Sequence, residues 1–154
     1  MKIIPQNTEN LLWNKLYNVY KFTPKIHGQF EWIKIPIENK TYHKDTPWSD
    51  EQEHLINSFL EELVSDKMYA FDWQHDCFTF SPKEYIPCDY EYYDTNRKCT
   101  VYFPTYYPNG DYHLFFDSDW KYGIWGNPWK KQIRVMGKNL IEKFESNKTN
   151  LNIN

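Results

Sequence analysis

A chain of 154 residues can bury one substantial core without disulfides or metals and leaves no room for a second domain of ordinary size. Its net charge of -3 selects no partner class, and Cys77, Cys88 and Cys99, odd in number and far apart, lack the spacing of a metal knuckle and read as reduced thiols. The opening residues turn polar at Gln6-Asn7 and no apolar run approaches membrane-spanning length, so we expect a cytoplasmic protein without signal peptide or membrane helix.

Asn7-Thr8-Glu9 precedes Leu11, Leu12, Leu16, Val19 and Tyr20, a helical spacing capped at Asn7 or Thr8 and closed before Thr23-Pro24. Phe30–Pro36 alternates apolar and polar residues as a strand does, and Glu38–Asp45 reads as a polar loop. Thr46-Pro47 then offers a cap for a helix over Pro47–Ser65. Its opening turns carry Asp50, Glu51 and Glu53, and its stripe of Leu55, Ile56, Phe59, Leu60 and Leu63 is expected to meet the sheet through Leu55, Phe59 and Leu63. Met68–Trp73 and Asp76–Phe80 read as strands about a turn at Gln74-His75, and Pro87–Lys98 as an irregular acidic and aromatic stretch.

The strongest local pattern follows. Val101–Tyr106 and Asp111–Asp117 are expected to pair as a hairpin about Pro108-Asn109-Gly110, with Gly110 left-handed and with Tyr102, Pro104, Tyr106, Tyr112, Leu114 and Phe116 on the core face. Pro104 cannot donate to a ladder, which puts the first strand at an edge or a bulge. Gly123–Trp125 and Ile133–Met136 read as further strands either side of a turn at Asn127-Pro128-Trp129. A helix with Leu140, Ile141 and Phe144 closes the fold, and residues 147–154 read as a frayed polar tail. Strands joined by short turns between helices argue for an α+β class: one domain over residues 1–154, an antiparallel sheet with two to three helices packed on one face.

Tyr107-Pro108-Asn109-Gly110-Asp111-Tyr112-His113-Leu114-Phe115-Phe116, then Tyr122-Gly123, Gly126-Asn127-Pro128-Trp129 and Ile133-Arg134-Val135-Met136-Gly137 with Leu140-Ile141 carry a resemblance. In these runs, within the C-terminal third, the chain resembles domain-of-unknown-function family 2716, a family of small bacterial proteins. The resemblance implies a bacterial, single-domain, soluble protein and implies no catalytic residues.

Candidate chemistry is sparse. The cysteines lie beside acids (Asp76 before Cys77; Asp89 and Glu91 after Cys88), which disfavours thiolates and a nucleophilic role. His113 shares its hairpin face with Asp111 and Asp117, the setting of a general base or a metal ligand, yet three or four ligands must converge for a metal, and His75 belongs to another turn with no register to His113. We therefore expect His113 on an exposed, shallow polar face, and assign no catalytic residue, cofactor or metal. Gly123 and Gly126 lack the lysine and later glycine of a phosphate loop. Seven basic residues against two acids from Lys121 onward give a surplus of +5 there and leave -8 on residues 1–120. The basic side chains are interleaved with core positions, which argues against nucleic-acid binding. What remains is the segment Glu84–Asp94, where tyrosines supply rigid contact area and acids steer a basic partner. The expected partner-binding residues are Asp89, Tyr90, Glu91, Tyr92, Tyr93 and Asp94, with Asp117 and Asp119 as neighbouring acids. The expected role is an immunity-type inhibitor that occludes a basic, nuclease-like toxin domain. The alternatives are an enzyme of unknown specificity around His113, or an accessory protein without catalytic activity.

Overall fold

The computed structural model, which describes residues 1–25 and 33–154, sets His113-Leu114-Phe115-Phe116-Asp117 in the middle of a seven-stranded sheet. In chain order the elements are β1 (Lys2–Ile3), α1 (Gln6–Asn18), β2 (Asn39–His43), α2 (Asp50–Leu63), β3 (Met68–Asp72), β4 (Phe78–Phe80), β5 (Glu91–Asp94), β6 (Cys99–Tyr102), β7 (His113–Asp117), β8 (Gly123–Asn127), β9 (Gln132–Met136), α3 (Lys138–Ser146) and α4 (Lys148–Leu151). The large sheet runs β1-β4-β3-β7-β8-β9-β2 with every pairing antiparallel, while β5 and β6 form a separate two-stranded ribbon. The α+β class and the antiparallel sheet are as expected. No helix among the described residues is long and apolar enough to cross a membrane.

Alternation along β7 divides the core in two. Phe115, flanked across the strands by Ala70 and Ile124, faces a cluster with Ile56, Phe59 and Leu60 of α2, Leu140 and Phe144 of α3 and Leu151 of α4. These are the three helices on one face. Leu114 and Phe116 face the other way, toward Phe71, Trp125 and Met136, and there α1 supplies a second cover through Leu16 and the following Tyr20 and Phe22. Rings dominate this side: Trp13 meets Phe71 edge-on at 5.3 Å, Phe22 meets Tyr112 at 5.4 Å, and the Lys15 ammonium sits 4.0 Å over Trp120. A sheet covered on both faces explains why every residue of β7 and β8 is buried. It also explains how a polar chain accommodates so many rings.

Several local expectations are corrected. The hairpin of Val101–Tyr106 with Asp111–Asp117 does not form: β6 pairs with β5, and β7 pairs with β3 and β8. Pro104 lacks a donor, and the Tyr106 and Tyr107 N–H groups donate instead to the two oxygens of Glu53 on α2, at 3.0 and 3.1 Å. The chain does bend there, with Gly110 left-handed as expected at φ +84°, and Pro108 packs so close to Gly126 that a Cβ there would lie 2.5 Å from the proline ring. Glu38–Asp45 is no loop, since Asn39–His43 is the edge strand β2; only Tyr42 of it is buried, so its sequence looks polar. Residues 147–154 are not frayed. Leu151 and Ile153 are buried, Trp48 donates to the Leu151 carbonyl, and Asn154 exchanges backbone hydrogen bonds with His43, so the tail covers the free edge of β2. The strand expected at Phe30–Pro36 falls largely outside the described residues, and Ile33–Ile35 are not strand.

The first helix begins at Gln6, behind Pro5, and leaves Leu11 and Val19 exposed. The second begins at Asp50, where Ser49 and Gln52 form a reciprocal capping box. Its buried stripe is Glu53, Ile56, Asn57, Phe59 and Leu60, with Leu55 and Leu63 only half-buried. The helix is turned because two polar side chains, Glu53 and Asn57, are drawn inward by hydrogen bonds. Leu60→Ala should therefore destabilise the protein by roughly 2–5 kcal/mol, whereas Leu63→Ala should lose about 1 kcal/mol or less, as measured by urea unfolding.

Candidate functional site

The register of β3 against β7 sets Asp72 directly opposite His113, so that two residues remote in sequence share one face at one end of the sheet. Both are buried. The His113 Nδ1 hydrogen donates to the Thr105 carbonyl at 2.8 Å, which directs Nε2 toward Asp72 Oδ2, 3.6 Å away. The other Asp72 oxygen, Oδ1, lies 2.8 Å from Nδ1 of His75, the exposed imidazole at the turn into β4. Burial works to raise the Asp72 carboxyl, but the imidazoles of His113 and His75 hold it below its ordinary value. Asp111, two residues before His113, adds a second buried carboxylate, raised by its own burial and, less strongly, by the Asp72 charge.

Above this group opens a cleft of about 370 Å³. Asp72, His75 and His113 line one part, Phe103, Pro104 and Thr105 of the linker another, and Asp89, Tyr90, Glu91 and Tyr102 the ribbon side. The ribbon is held over the sheet by named contacts. Arg97 grips Asp76 with two hydrogen bonds of 2.9 and 3.0 Å and the Tyr85 hydroxyl donates to Asp50 at the start of α2, while the Phe103 N–H donation to the Tyr90 carbonyl extends the ribbon's own pairing. The linker wall depends on Glu53, helped by Asn57, which accepts from the Tyr106 hydroxyl and donates to the Pro82 carbonyl.

His113 is thus not on an exposed, shallow face; it lies 4% exposed against a buried carboxylate at the edge of an open cleft. The carboxylate nearest its ring is the cross-strand Asp72, because β7 pairs with β3 where a hairpin with Val101–Tyr106 was expected. The six residues of the acidic segment do fall together. Asp89, Tyr90, Glu91 and Tyr93 are exposed, Tyr92 is half-buried against the core, and Asp94 is half-buried and accepts the Asn96 and Arg97 N–H groups at the ribbon turn. Asp117 and Asp119 do not join them, since they lie at the opposite end of β7. Asp117 is buried and accepts the N–H groups of Asp119, Lys121 and Tyr122, which makes it the organiser of a turn, and exposed Asp119 pairs with Lys121 at 3.2 Å. The basic residues of the C-terminal stretch are largely engaged: Lys131 with Asp45, Lys143 with Glu62, and Arg134 half-buried over Trp125. The surroundings of Cys77 and Cys88 disfavour the thiolate form. Burial raises both thiols, Cys88 to about 12 with further push from Glu53 and Asp50.

The sequence reading missed Glu53 and Asn57 as parts of the site. A signal existed: an acid and an amide at i and i+4 share the helix face of Ile56 and Leu60, and polar groups on a buried stripe need partners.

A family model described as a protein of unknown function (DUF2716) matches residues 4–141. The chain is also 31% identical over 158 aligned residues to the uncharacterized protein YxiI of Bacillus subtilis (strain 168), an alignment spanning 94% of this chain and 92% of that one. No solved structure matches.

Burial pushes the Glu53 carboxyl up to about 7 against the lowering effect of its two backbone donors. A value raised above the unfolded one means that the folded protein holds the proton more tightly. That contribution to stability is complete below the unfolded value of 4.5 and is lost as pH rises through 7. Urea unfolding from about pH 4 to about pH 8 should show wild type losing on the order of 3 kcal/mol relative to Glu53→Gln.

Proposed function

The chain belongs to the DUF2716 family of proteins of unknown function, a membership that prescribes no activity, and we propose that it is an immunity-type inhibitor, a small binding protein that occludes a basic, nuclease-like toxin domain in the cytoplasm. The observation that carries this reading is the β5–β6 ribbon. Of the six exposed large hydrophobic side chains among the described residues, Tyr90, Tyr93 and Tyr102 stand on it or at its foot, and the exposed acids Asp89 and Glu91 stand between them beside the acidic cleft. Rings that hold a partner and carboxylates that attract a basic one are the two ingredients such an interface needs.

In this reading the acids govern encounter and the rings govern residence. With the product of the adjacent gene as the candidate partner, co-purification followed by surface plasmon resonance is the test. Asp89→Asn with Glu91→Gln should slow association and flatten its decline with rising salt while leaving dissociation nearly unchanged, and Tyr93→Ala with Tyr102→Ala should speed dissociation. Failure to co-purify, or an acid variant with unaltered association and salt dependence, would contradict it.

One observation favours a second reading, an enzyme of unassigned specificity. His113 is held by Thr105 with its other nitrogen toward Asp72 at an open cleft, an arrangement suited to moving a proton. Turnover of a chromogenic ester or phosphoester that His113→Gln abolishes would favour it, whereas partner binding that survives His113→Gln favours the first.

A further inference from the structure

Two buried carboxylates share the space beneath the cleft. Asp72 and Asp111 are 7% and 6% exposed, and one ligand atom from each, with one from His75, all lie within 4.8 Å of one another. Each oxygen of Asp72 faces an imidazole. Asp111 is different: Oδ1 accepts the Tyr112 N–H at 2.7 Å, and Oδ2 has no hydrogen bond among the described residues. Two carboxylates set this close together, one of them with an oxygen that no donor among the described residues engages and that is not sealed from solvent, form an arrangement whose charge a bound cation would neutralise.

We propose that Asp72, His75 and Asp111 form a binding site for a divalent first-row transition ion of the zinc type. Two carboxylates and one imidazole are the hard and borderline donors such an ion takes, too few oxygens for calcium and without the soft sulfur that would select copper(I). Two negative charges match the ion's two positive ones. The ion would take the place of the 2.8 Å hydrogen bond that joins His75 to Asp72. His113 is a positioning residue: anchored by Thr105, it holds the Asp72 carboxylate from the side away from His75. His75 is exposed, with 60% of its side chain in solvent, and the cleft opens beside it, so an ion can enter and can keep water or a ligand in its remaining positions. The proposal does not rest on the inhibitor reading: the two share a cleft, but the donors lie on the sheet end and its turns while the proposed partner surface is the ribbon.

The test uses the full chain freed of metal with a chelator and with the half-buried Cys88 and Cys99 thiols blocked, titrated with Co²⁺ and followed by visible absorption. One ion per chain is expected, with ligand-field bands that Zn²⁺ displaces and a melting temperature that rises with the ion. His75→Gln, a change at an exposed side chain, should weaken binding about tenfold or more while the variant still unfolds cooperatively, and Asp111→Asn should do the same. His43→Gln, which alters the surface pair with Asp45 elsewhere, should leave binding intact. Absence of stoichiometric binding up to millimolar Co²⁺, binding unaffected by His75→Gln, or binding lost in His43→Gln would overturn the proposal.

Discussion

The antiparallel register that puts Asp72 opposite His113 is the constraint on which the rest of the site depends. Shift either strand by one residue and the two side chains leave each other for opposite faces. The register is set by packing along the middle of the same strands, where Ala70 meets Phe115 toward one core and Phe71 meets Leu114 toward the other. Because both faces of β3 and β7 are buried, a slip would send two wrong sets of side chains into two cores. The polar pair at the strand ends is thus held by apolar contacts that it does not itself make, and His75 and Asp111 follow as the residues just beyond the two ends.

Glu53 makes the second half of the site. By accepting the Tyr106 and Tyr107 N–H groups it removes them from any ladder and bends the chain between the ribbon and β7 into a wall. The cleft exists because the linker runs across to α2 instead of pairing with β7, and because Arg97 and Tyr85 tie the ribbon and its approach to neighbouring elements. A carboxylate buried for this purpose costs stability at neutral pH. It gives in exchange a defined position for Thr105, whose carbonyl orients His113.

Much of the architecture was legible in the sequence, since Met68–Asp72, Phe78–Phe80, His113–Asp117 and Gln132–Met136 have strand composition and the Leu140, Ile141, Phe144 stripe has helical spacing. What misled was local strength read as global pairing. Pro108-Asn109-Gly110 does turn the chain, but a turn signal says nothing of side-chain carboxylates fifty residues away that claim the same N–H groups. The tail was misread because Leu151 and Ile153 are too few for a periodic signal and are buried only by contacts distant in sequence, with Trp48 and with the edge of β2. The acidic ribbon was legible as composition. The Asp72–His113 contact was not, because pairing between strands forty residues apart has no local mark.

A double-mutant cycle between Asp72→Asn and His113→Gln, with unfolding free energies measured in urea in the presence of a chelator, tests this cross-strand pair most directly. If the two side chains meet across the strands as described, the double variant should differ from the sum of the single ones by about 1–3 kcal/mol. Additive losses would mean that the pair does not meet, and the site built upon it would not stand.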